Sequence, residues 1–334
     1  MKDIKVYNFI DFLEQIDFYS IFGVLAPGIV SYVSNNPKFQ KNKKKKPVLD
    51  QTKIVRKELG RTIIDFLDVI NENIEELNPT IIINNFNNLV IRYSTFDPEK
   101  THKLVTGTYC PEANQIELAK ENFMLTIFHE LFHAASSYID QTNETVYTGF
   151  EIIHNGEILA EGLNEGYTQY LTEKYFGDRD IFITYQFERR VAEILENIIG
   201  EKRMRWCYFN ASLSSLINDL EKYSPYEDIM VFIKDLDYVS NNLHKDTISK
   251  EIKEQVENRL KTISEFLIKV LVRQNLNKTG IANYSLSIDI LSPIISKIPS
   301  HIKVDGEDYQ IMDLETIRRS VEAVFDEKKL TRKK

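Results

Sequence analysis

Apolar residues recur with a helical period along most of the chain. Between Lys53 and Leu77 this pattern predicts one amphipathic helix, which Asn78-Pro79 is expected to end. After Tyr175 the pattern is helical almost throughout and predicts several further helices. Their expected ranges are 181–199, 212–223, 226–242, 248–274 and 309–329. The C-terminal half is therefore predicted to be an α-helical lobe.

Short β patterns lie between the two helical regions. Residues 80–94 are rich in β-branched and aromatic side chains around an Asn-rich segment, which predicts strands. Residues 104–109 and 115–118 flank a turn-forming segment and predict a hairpin. Residues 146–153 and 157–159 predict further strands, joined by an Asn-Gly turn. The predicted fold class is α+β, mostly α, with a small sheet.

One predicted helix, residues 122–138, is apolar on nearly every side and should be buried. It nevertheless contains His129, Glu130 and His133, and Asn122 is its expected N-cap. An ionisable group in an apolar interior is costly unless it is paired or binds a metal. The two histidines lie one turn apart on one face, with about 5 to 6 Å between their Cβ atoms. Two imidazole nitrogens can therefore converge on one ion.

The same motif, H-E-x-x-H, places a carboxylate beside the expected ion. Glu130 directly follows His129, so its side chain points beside the ion rather than at it. From there it can take a proton from a metal-activated water. The alternative without a metal is a pair of histidines bonded to neighbouring carboxylates on a core helix.

A second predicted helix, residues 162–173, contains Asn164-Glu165, and Glu165 lies 32 residues past His133. Here the chain resembles the gluzincin zinc peptidases, which include the thermolysin-like proteases and the zinc aminopeptidases. Their signature is H-E-x-x-H on one helix and an Asn-Glu dipeptide on a second. The resemblance implies one zinc ion per chain, bound by His129, His133 and Glu165, because a catalytic zinc usually takes three protein ligands.

The resemblance covers about residues 103–190, and it departs from the family pattern at two positions. The L-N-E-G-aromatic run is similar to the aminopeptidase form, but Gly162 stands where that form has tryptophan. Thermolysin-like enzymes carry an aspartate four residues after the ligand to orient a histidine, whereas this chain has Gln169. Glu161 also competes with Glu165 for the ligand role, because it lies one helical turn earlier.

The resemblance implies a zinc-dependent peptidase that hydrolyses peptide or protein substrates with Glu130 as general base. A further donor should stabilise the oxyanion; Tyr185 and Tyr208 are candidates, and their spacing selects neither. His154 is expected to be a surface turn residue. Two alternatives remain open at this point: a non-hydrolytic regulatory or binding protein on a zincin scaffold, and a helical protein without metal.

Three regions follow from these patterns. Residues 1–50 form an N-terminal apolar segment and basic loop. The gluzincin resemblance implies that residues 51–178 form a zincin-like catalytic core, with a small sheet, an active-site helix and both zinc-ligand motifs. Residues 179–334 form the helical C-terminal lobe, which is expected to close one side of the cleft.

Composition narrows the class of partner and the compartment. The 334 residues carry a formal net charge of −8, which disfavours nucleic acid as the main partner because phosphate binding depends on Lys and Arg. Cys110 and Cys207 are too few for a disulfide framework, so a reducing compartment is expected. With no secretory signal evident, a cytoplasmic location is predicted. No feature of the sequence indicates an oligomeric state.

A membrane-associated alternative rests on residues 18–33. This segment is uncharged and largely apolar, and the lysine-rich run 41–46 follows it. Pro27 and Gly28 interrupt it, and it is shorter than the roughly 20 residues that a spanning helix needs. A docked or buried helix followed by a solvated basic loop is the favoured interpretation.

Overall fold

A computed structural model describes residues 53–94, 107–119, 123–179, 181, 185–243, 249–279, 301–304, 307–310 and 314–331. Within these ranges the protein is mostly helical with small sheets, which confirms the α+β, mostly α class. No helix in this part of the chain is both long and apolar enough to cross a membrane. The predicted N-terminal region 1–50, including 18–33 and the lysine run, and the expected cap Asn122 lie outside the described residues.

Helices contribute most of the described residues. They are α1 (Lys53–Asn73), α2 (Pro79–Asn88), α3 (Phe123–Ala135), α4 (Glu161–Phe176), α5 (Gln186–Ile199), α6 (Glu201–Phe209), α7 (Leu213–Leu220), α8 (Tyr226–Leu243), α9 (Lys250–Thr279) and α10 (Leu314–Thr331). The strands are β1 (Val90–Ser94), β2 (Gly107–Cys110), β3 (Gln115–Ala119), β4 (Ser137–Asp140), β5 (Thr145–Thr148), β6 (Glu151–His154), β7 (Glu157–Leu159), β8 (His301–Val304) and β9 (Glu307–Gln310).

The predicted hairpin is confirmed for its described part. Strands β2 and β3 pair antiparallel, and β1 pairs parallel with β3 on the other side, so the order is β1-β3-β2. Strand β2 lies at the sheet edge and runs against α3. A Cβ atom added at Gly107 would lie 3.0 Å from Glu130 Oε1. The hairpin therefore brings an edge strand into contact with the helix that carries the histidines.

The second sheet is an antiparallel meander in the order β4-β5-β6-β7. Its last three strands and the turn at His154-Asn155-Gly156 match the prediction, whereas β4 was not predicted. The chain leaves β7 through Ala160, which has a left-handed backbone with φ 63°, and enters α4 directly. The meander therefore joins the two helices that carry the ligand motifs.

The strand prediction for residues 80–94 is wrong in its first half. Residues 79–88 form α2, because the Asn78 side chain accepts hydrogen bonds from Thr80 N at 3.1 Å and Ile81 N at 3.3 Å. Pro79 occupies the first helical turn, where its missing N–H costs nothing. Asn78-Pro79 therefore begins this helix, and α1 ends earlier than predicted, at Asn73. Only the second half, β1, is a strand.

The C-terminal helices are confirmed with shifted boundaries. Helix α5 begins at Gln186 rather than at residue 181, α6 was not predicted, and α9 extends to Thr279. The predicted helix 309–329 is wrong at its start, because Tyr309 and Gln310 belong to β9. A pattern of apolar residues does not distinguish a short strand from the first turn of a helix.

Aromatic residues pack α3 against its neighbours. Phe128 stacks on Phe176 of α4 with ring centroids 4.1 Å apart. Phe132 meets Phe66 of α1 edge to face at 5.0 Å and lies 6.3 Å from Phe209 of α6. Buried aromatic pairs of this kind add to the free energy of burial and restrict geometry. The positions of α3 and α4 are therefore fixed by the core beneath them.

Candidate metal centre

Helix α3 holds three ionisable side chains in the protein interior. His129, Glu130 and His133 are 8%, 6% and 5% exposed, and the apolar residues around them are buried as predicted. The two histidine rings lie 4.8 Å apart, centroid to centroid, at 70° to each other. Their Nε2 atoms are 3.0 Å apart. One helical turn therefore brings two imidazole nitrogens to one point.

Helix α4 brings a carboxylate to the same point. Glu165 Oε2 lies 2.9 Å from His129 Nε2, and Glu165 Oε1 lies 3.2 Å from His133 Nε2. Ligand atoms of the three residues all lie within 4.8 Å of one another. The structure thus brings together the three residues that the sequence singled out as ligands.

The three residues fit a bound metal ion. A tetrahedral zinc ion with ligands at about 2.0 to 2.1 Å has its ligand atoms about 3.3 Å apart. The separations of 2.9, 3.0 and 3.2 Å are close to that value. The two Nε2 atoms face each other. A single shared proton would join them in a hydrogen bond, and one metal ion would bind the lone pairs of both. The group formed by His129, His133 and Glu165 can therefore hold a metal ion.

The Glu165 carboxylate is held in its ionised form. Burial by itself raises the pKa of this carboxyl. The charges and hydrogen bonds of His133 and His129 lower the pKa by more than burial raises it, so that it lies well below its usual range. A metal ligand must be deprotonated, so an ionised carboxylate in this position favours cation binding.

Glu130 lies beside the three ligand residues and is not one of them. Burial raises its pKa to about 8, the charge of His129 opposes the shift, and Glu165 adds to it. The backbone N–H of Tyr109, on the edge strand, donates a hydrogen bond to this carboxylate. The strand approaches closely because Gly107 has no side chain. Glu130 is therefore a carboxylate with raised proton affinity, fixed next to the ion site.

Asn164 connects His133 to the second sheet. Its Nδ2 atom lies 3.3 Å from His133 Nδ1, and its Oδ1 atom accepts a hydrogen bond from Phe150 N at 3.2 Å. Gly149 adopts φ +56°, and a Cβ atom there would lie 2.3 Å from Asn164 Oδ1. The turn before β6 is thus shaped around this amide, whose NH2 group can only donate and faces the Nδ1 atom of His133.

His129 differs from His133 in the surroundings of its Nδ1 atom. Its Nδ1 atom is buried and has no hydrogen-bond partner among the described residues. Gln169, which the resemblance placed where an aspartate would orient a histidine, donates from Nε2 to Glu173 Oε1 at 3.1 Å. The ring of His129 is therefore positioned by packing and by Glu165.

The structure distinguishes Glu165 from Glu161, the alternative candidate for the third ligand. Glu161 lies one turn earlier on α4 and its Oε2 accepts a hydrogen bond from Asn241 Nδ2 at 3.0 Å. It is not part of the group that could hold an ion. His154 is exposed in its turn and contacts Thr145 Oγ1 at 2.9 Å, as expected for a surface residue. The geometry therefore selects Glu165.

The two tyrosine candidates occupy different environments. Tyr208 is fully buried, and its hydroxyl lies 2.7 Å from Thr168 Oγ1 in the core. Tyr185 lies over His129 with ring centroids 6.0 Å apart and 21° between the ring planes. Burial and the charges of Glu165, Glu188 and Glu130 raise the pKa of Tyr185 well above its usual range. Of the two, Tyr185 is therefore the one whose ring lies against a histidine of the ion site.

Contacts from the C-terminal lobe position α4, and no sequence pattern indicates them. Asp237 of α8 accepts hydrogen bonds from the backbone N–H groups of Ala160 at 2.8 Å and Gly162 at 3.0 Å. A Cβ atom at Gly166 would lie 2.4 Å from the backbone of Glu188 on α5. These partners are distant in sequence, so only the folded structure reveals that they cap and pack the ligand helix.

Comparison with known proteins gives no relative: no family model, curated protein or solved structure matches this chain. The chemistry available at the site is set by its own residues. Two imidazole nitrogens and a carboxylate converge, and a second carboxylate of raised pKa lies beside them. Such an arrangement can bind a metal ion and move a proton next to it.

Proposed function

We propose that the protein is a zinc-dependent peptidase of the gluzincin type. The observation that carries the proposal is the convergence of His129, His133 and Glu165, with Glu130 beside them but outside the group. Two histidines and one glutamate are a donor set of catalytic zinc sites, in which one coordination position remains open. When bound, zinc supplies a water of lowered pKa and polarises the scissile carbonyl.

The residues of the chain then perform the proton transfer. Glu130 accepts a proton at its carboxylate and passes it to the leaving amine. The N–H of Tyr109 fixes one side of that carboxylate, and the absence of a side chain at Gly107 leaves space for it. Burial of the surrounding helix face limits access of bulk water to the carboxylate.

The direct test is digestion of a peptide library by the full-length protein. We expect cleavage by the zinc-loaded protein, loss of cleavage after a chelator removes the metal, and recovery when zinc is added back. A zinc-loaded protein that cleaves no peptide would instead support the alternative of a non-hydrolytic binding protein on the same scaffold.

Tyr185 is expected to stabilise the oxyanion. Replacing its hydroxyl by Tyr185→Phe should lower kcat by a factor of about 100 or more with little change in KM, because one donor to the developing charge is lost. Steady-state kinetics on the best library peptide measures both constants. Tyr208→Phe is the matched control: it should leave kcat close to that of the wild type and lower the melting temperature. Equal kcat values for Tyr185→Phe and wild type would contradict the assignment.

Asn164 is expected to support zinc binding through His133. Asn164→Ala removes the side chain that, among the described residues, contacts His133 Nδ1 and accepts the hydrogen bond from Phe150 N, so the position of the His133 ring should be less restricted and zinc affinity should fall by roughly 10-fold. Competition with a coloured chelator measures the affinity. Asn197→Ala, which alters an exposed helix asparagine, is the control. An unchanged affinity in Asn164→Ala would show that the contact does not orient the ligand.

A further inference from the structure

A cavity of about 150 Å³ lies between α8 and α9 in the C-terminal lobe. Phe232 of α8 stacks on Phe266 of α9 with ring centroids 4.5 Å apart. Further along α8, Asp235 pairs with Arg259, which comes earlier on α9, so the two helices run antiparallel. The residues that line the cavity differ from those of the candidate metal centre. The cavity is therefore a separate candidate site.

Charges of both signs line this cavity. Two carboxylates, Asp228 and Glu265, stand against two cations, Lys269 and Arg273, so the formal charges cancel. Glu265 lies 3.9 Å from Arg319 of α10. Within the described residues, Asp228 and Lys269 form neither a hydrogen bond nor an ion pair, although they line the same cavity. Two unpaired charges of opposite sign are complementary to a ligand that carries both signs itself.

One end of the cavity favours a carboxylate. Arg273 Nη1 donates a hydrogen bond to Tyr223 O at 3.0 Å, which holds the guanidinium beside Ser224. Ser224 lies just before α8, near the positive end of the helix dipole. It is 5% exposed, and its buried Oγ atom has no hydrogen-bond partner in the part of the chain that the structure describes. A ligand carboxylate would accept hydrogen bonds from this hydroxyl and from the cations beside it.

The other end of the cavity is apolar. The stacked rings of Phe232 and Phe266 lie 15° from parallel, and both residues are buried. Val231 lines the same end and is 51% exposed, so the cavity opens to solvent there. A cavity of this volume accommodates a benzene ring. An aromatic or branched aliphatic side chain can therefore be buried against the two rings, which is favourable.

We propose that this cavity binds a free α-amino acid with an apolar side chain. Its carboxylate is bound by Lys269, Arg273 and Ser224. Its ammonium group is bound by Asp228, and its side chain packs against the two phenylalanine rings. The inference does not depend on the proposed peptidase function, because the lining residues are not those of the metal centre.

Calorimetric titration of the zinc-loaded full chain tests the proposal. L-phenylalanine is compared with 3-phenylpropionate, which lacks the ammonium group, and with 2-phenylethylamine, which lacks the carboxylate. L-leucine is compared in the same way with 4-methylpentanoate and 3-methylbutylamine. We expect at least one amino acid to bind roughly 10-fold or more tightly than both of its analogues, because each analogue leaves a charged group of the cavity unpaired. Binding of neither amino acid, or analogues that bind as tightly as their parents, would overturn the inference.

Variants locate the bound amino acid. Lys269→Gln and Asp228→Asn should each weaken its binding by roughly 10-fold. Both replace side chains that form no hydrogen bond or ion pair within the described residues, so the fold should be kept. Lys278→Gln, which alters an exposed lysine in the last turn of α9, is the matched control and should bind as the wild type does.

Glu165→Ala separates this cavity from the metal centre. The variant is expected to lose zinc and should keep its affinity for the amino acid. Affinity that is lost in Glu165→Ala, or that is unchanged in both Lys269→Gln and Asp228→Asn, would place the amino acid elsewhere and overturn the inference. Neither result would bear on the proposed peptidase, which the peptide-library digestion tests.

Discussion

Glu130→Gln is expected to bind zinc as the wild type does and to lose turnover by a factor of about 100 to 10,000. The substitution keeps the shape of the side chain and removes its ability to accept a proton. Zinc should stay, because Glu130 is outside the three-residue group that converges on the ion site. Measurement of kcat on the best library peptide, together with zinc content by elemental analysis, tests both parts.

Glu144→Gln provides the control for Glu130→Gln, since Glu144 is an exposed turn residue in the second sheet. It should match the wild type in both measurements. If Glu130→Gln retained full turnover, Glu130 would have no role in proton transfer. If it lost its zinc as well, its carboxylate would have to contribute to metal binding, contrary to the geometry.

Glu165→Ala is expected to weaken zinc binding by more than the roughly 100-fold that loss of an outer partner costs. One of three protein ligands disappears, and the two histidine nitrogens lose the carboxylate that bridges them at 2.9 and 3.2 Å. Zinc affinity by chelator competition is the measurement.

The matched control for Glu165→Ala is Glu161→Ala. Glu161 is the neighbouring carboxylate on the same helix face and is bonded to Asn241 instead of the histidines. It should keep zinc affinity near the wild-type value. The opposite ranking, with Glu161→Ala losing zinc and Glu165→Ala keeping it, would assign the third ligand to Glu161.

The parts of the site that could be predicted from sequence are those fixed by local geometry. A helix places His129 and His133 on one face whatever surrounds it, and an apolar pattern on all sides predicts its burial. The structure agrees, with both rings in the interior and their Nε2 atoms 3.0 Å apart. The prediction of Glu165 as third ligand rests on resemblance to a two-helix signature rather than on spacing. The structure brings its carboxylate to the two histidine Nε2 atoms.

Features that depend on distant contacts could not be predicted. The choice between Glu161 and Glu165 depends on the rotation of α4, which Asp237 and the close approach of α5 at Gly166 help to set. Tyr185 has a left-handed backbone with φ 50° directly before α5, and its ring lies against His129. The residues around Tyr185 in the sequence do not predict this left-handed backbone conformation.

The error at residues 80–94 has a local cause. Isoleucines 81 to 83 favour a strand by propensity, but a helix cap one residue before Pro79 outweighs that preference. Ile82 and Phe86 then lie on a buried face of α2. Tertiary burial and a cap together decided the structure of this segment, as they commonly do for β-branched runs.

The most direct test of the metal centre is the zinc content of the wild-type chain. The full-length protein would be purified without added metal, offered zinc, freed of excess and examined by elemental analysis. We predict one zinc ion per chain, held by His129, His133 and Glu165. A protein that takes up no zinc under these conditions would contradict the metal centre and, with it, the proposed peptidase.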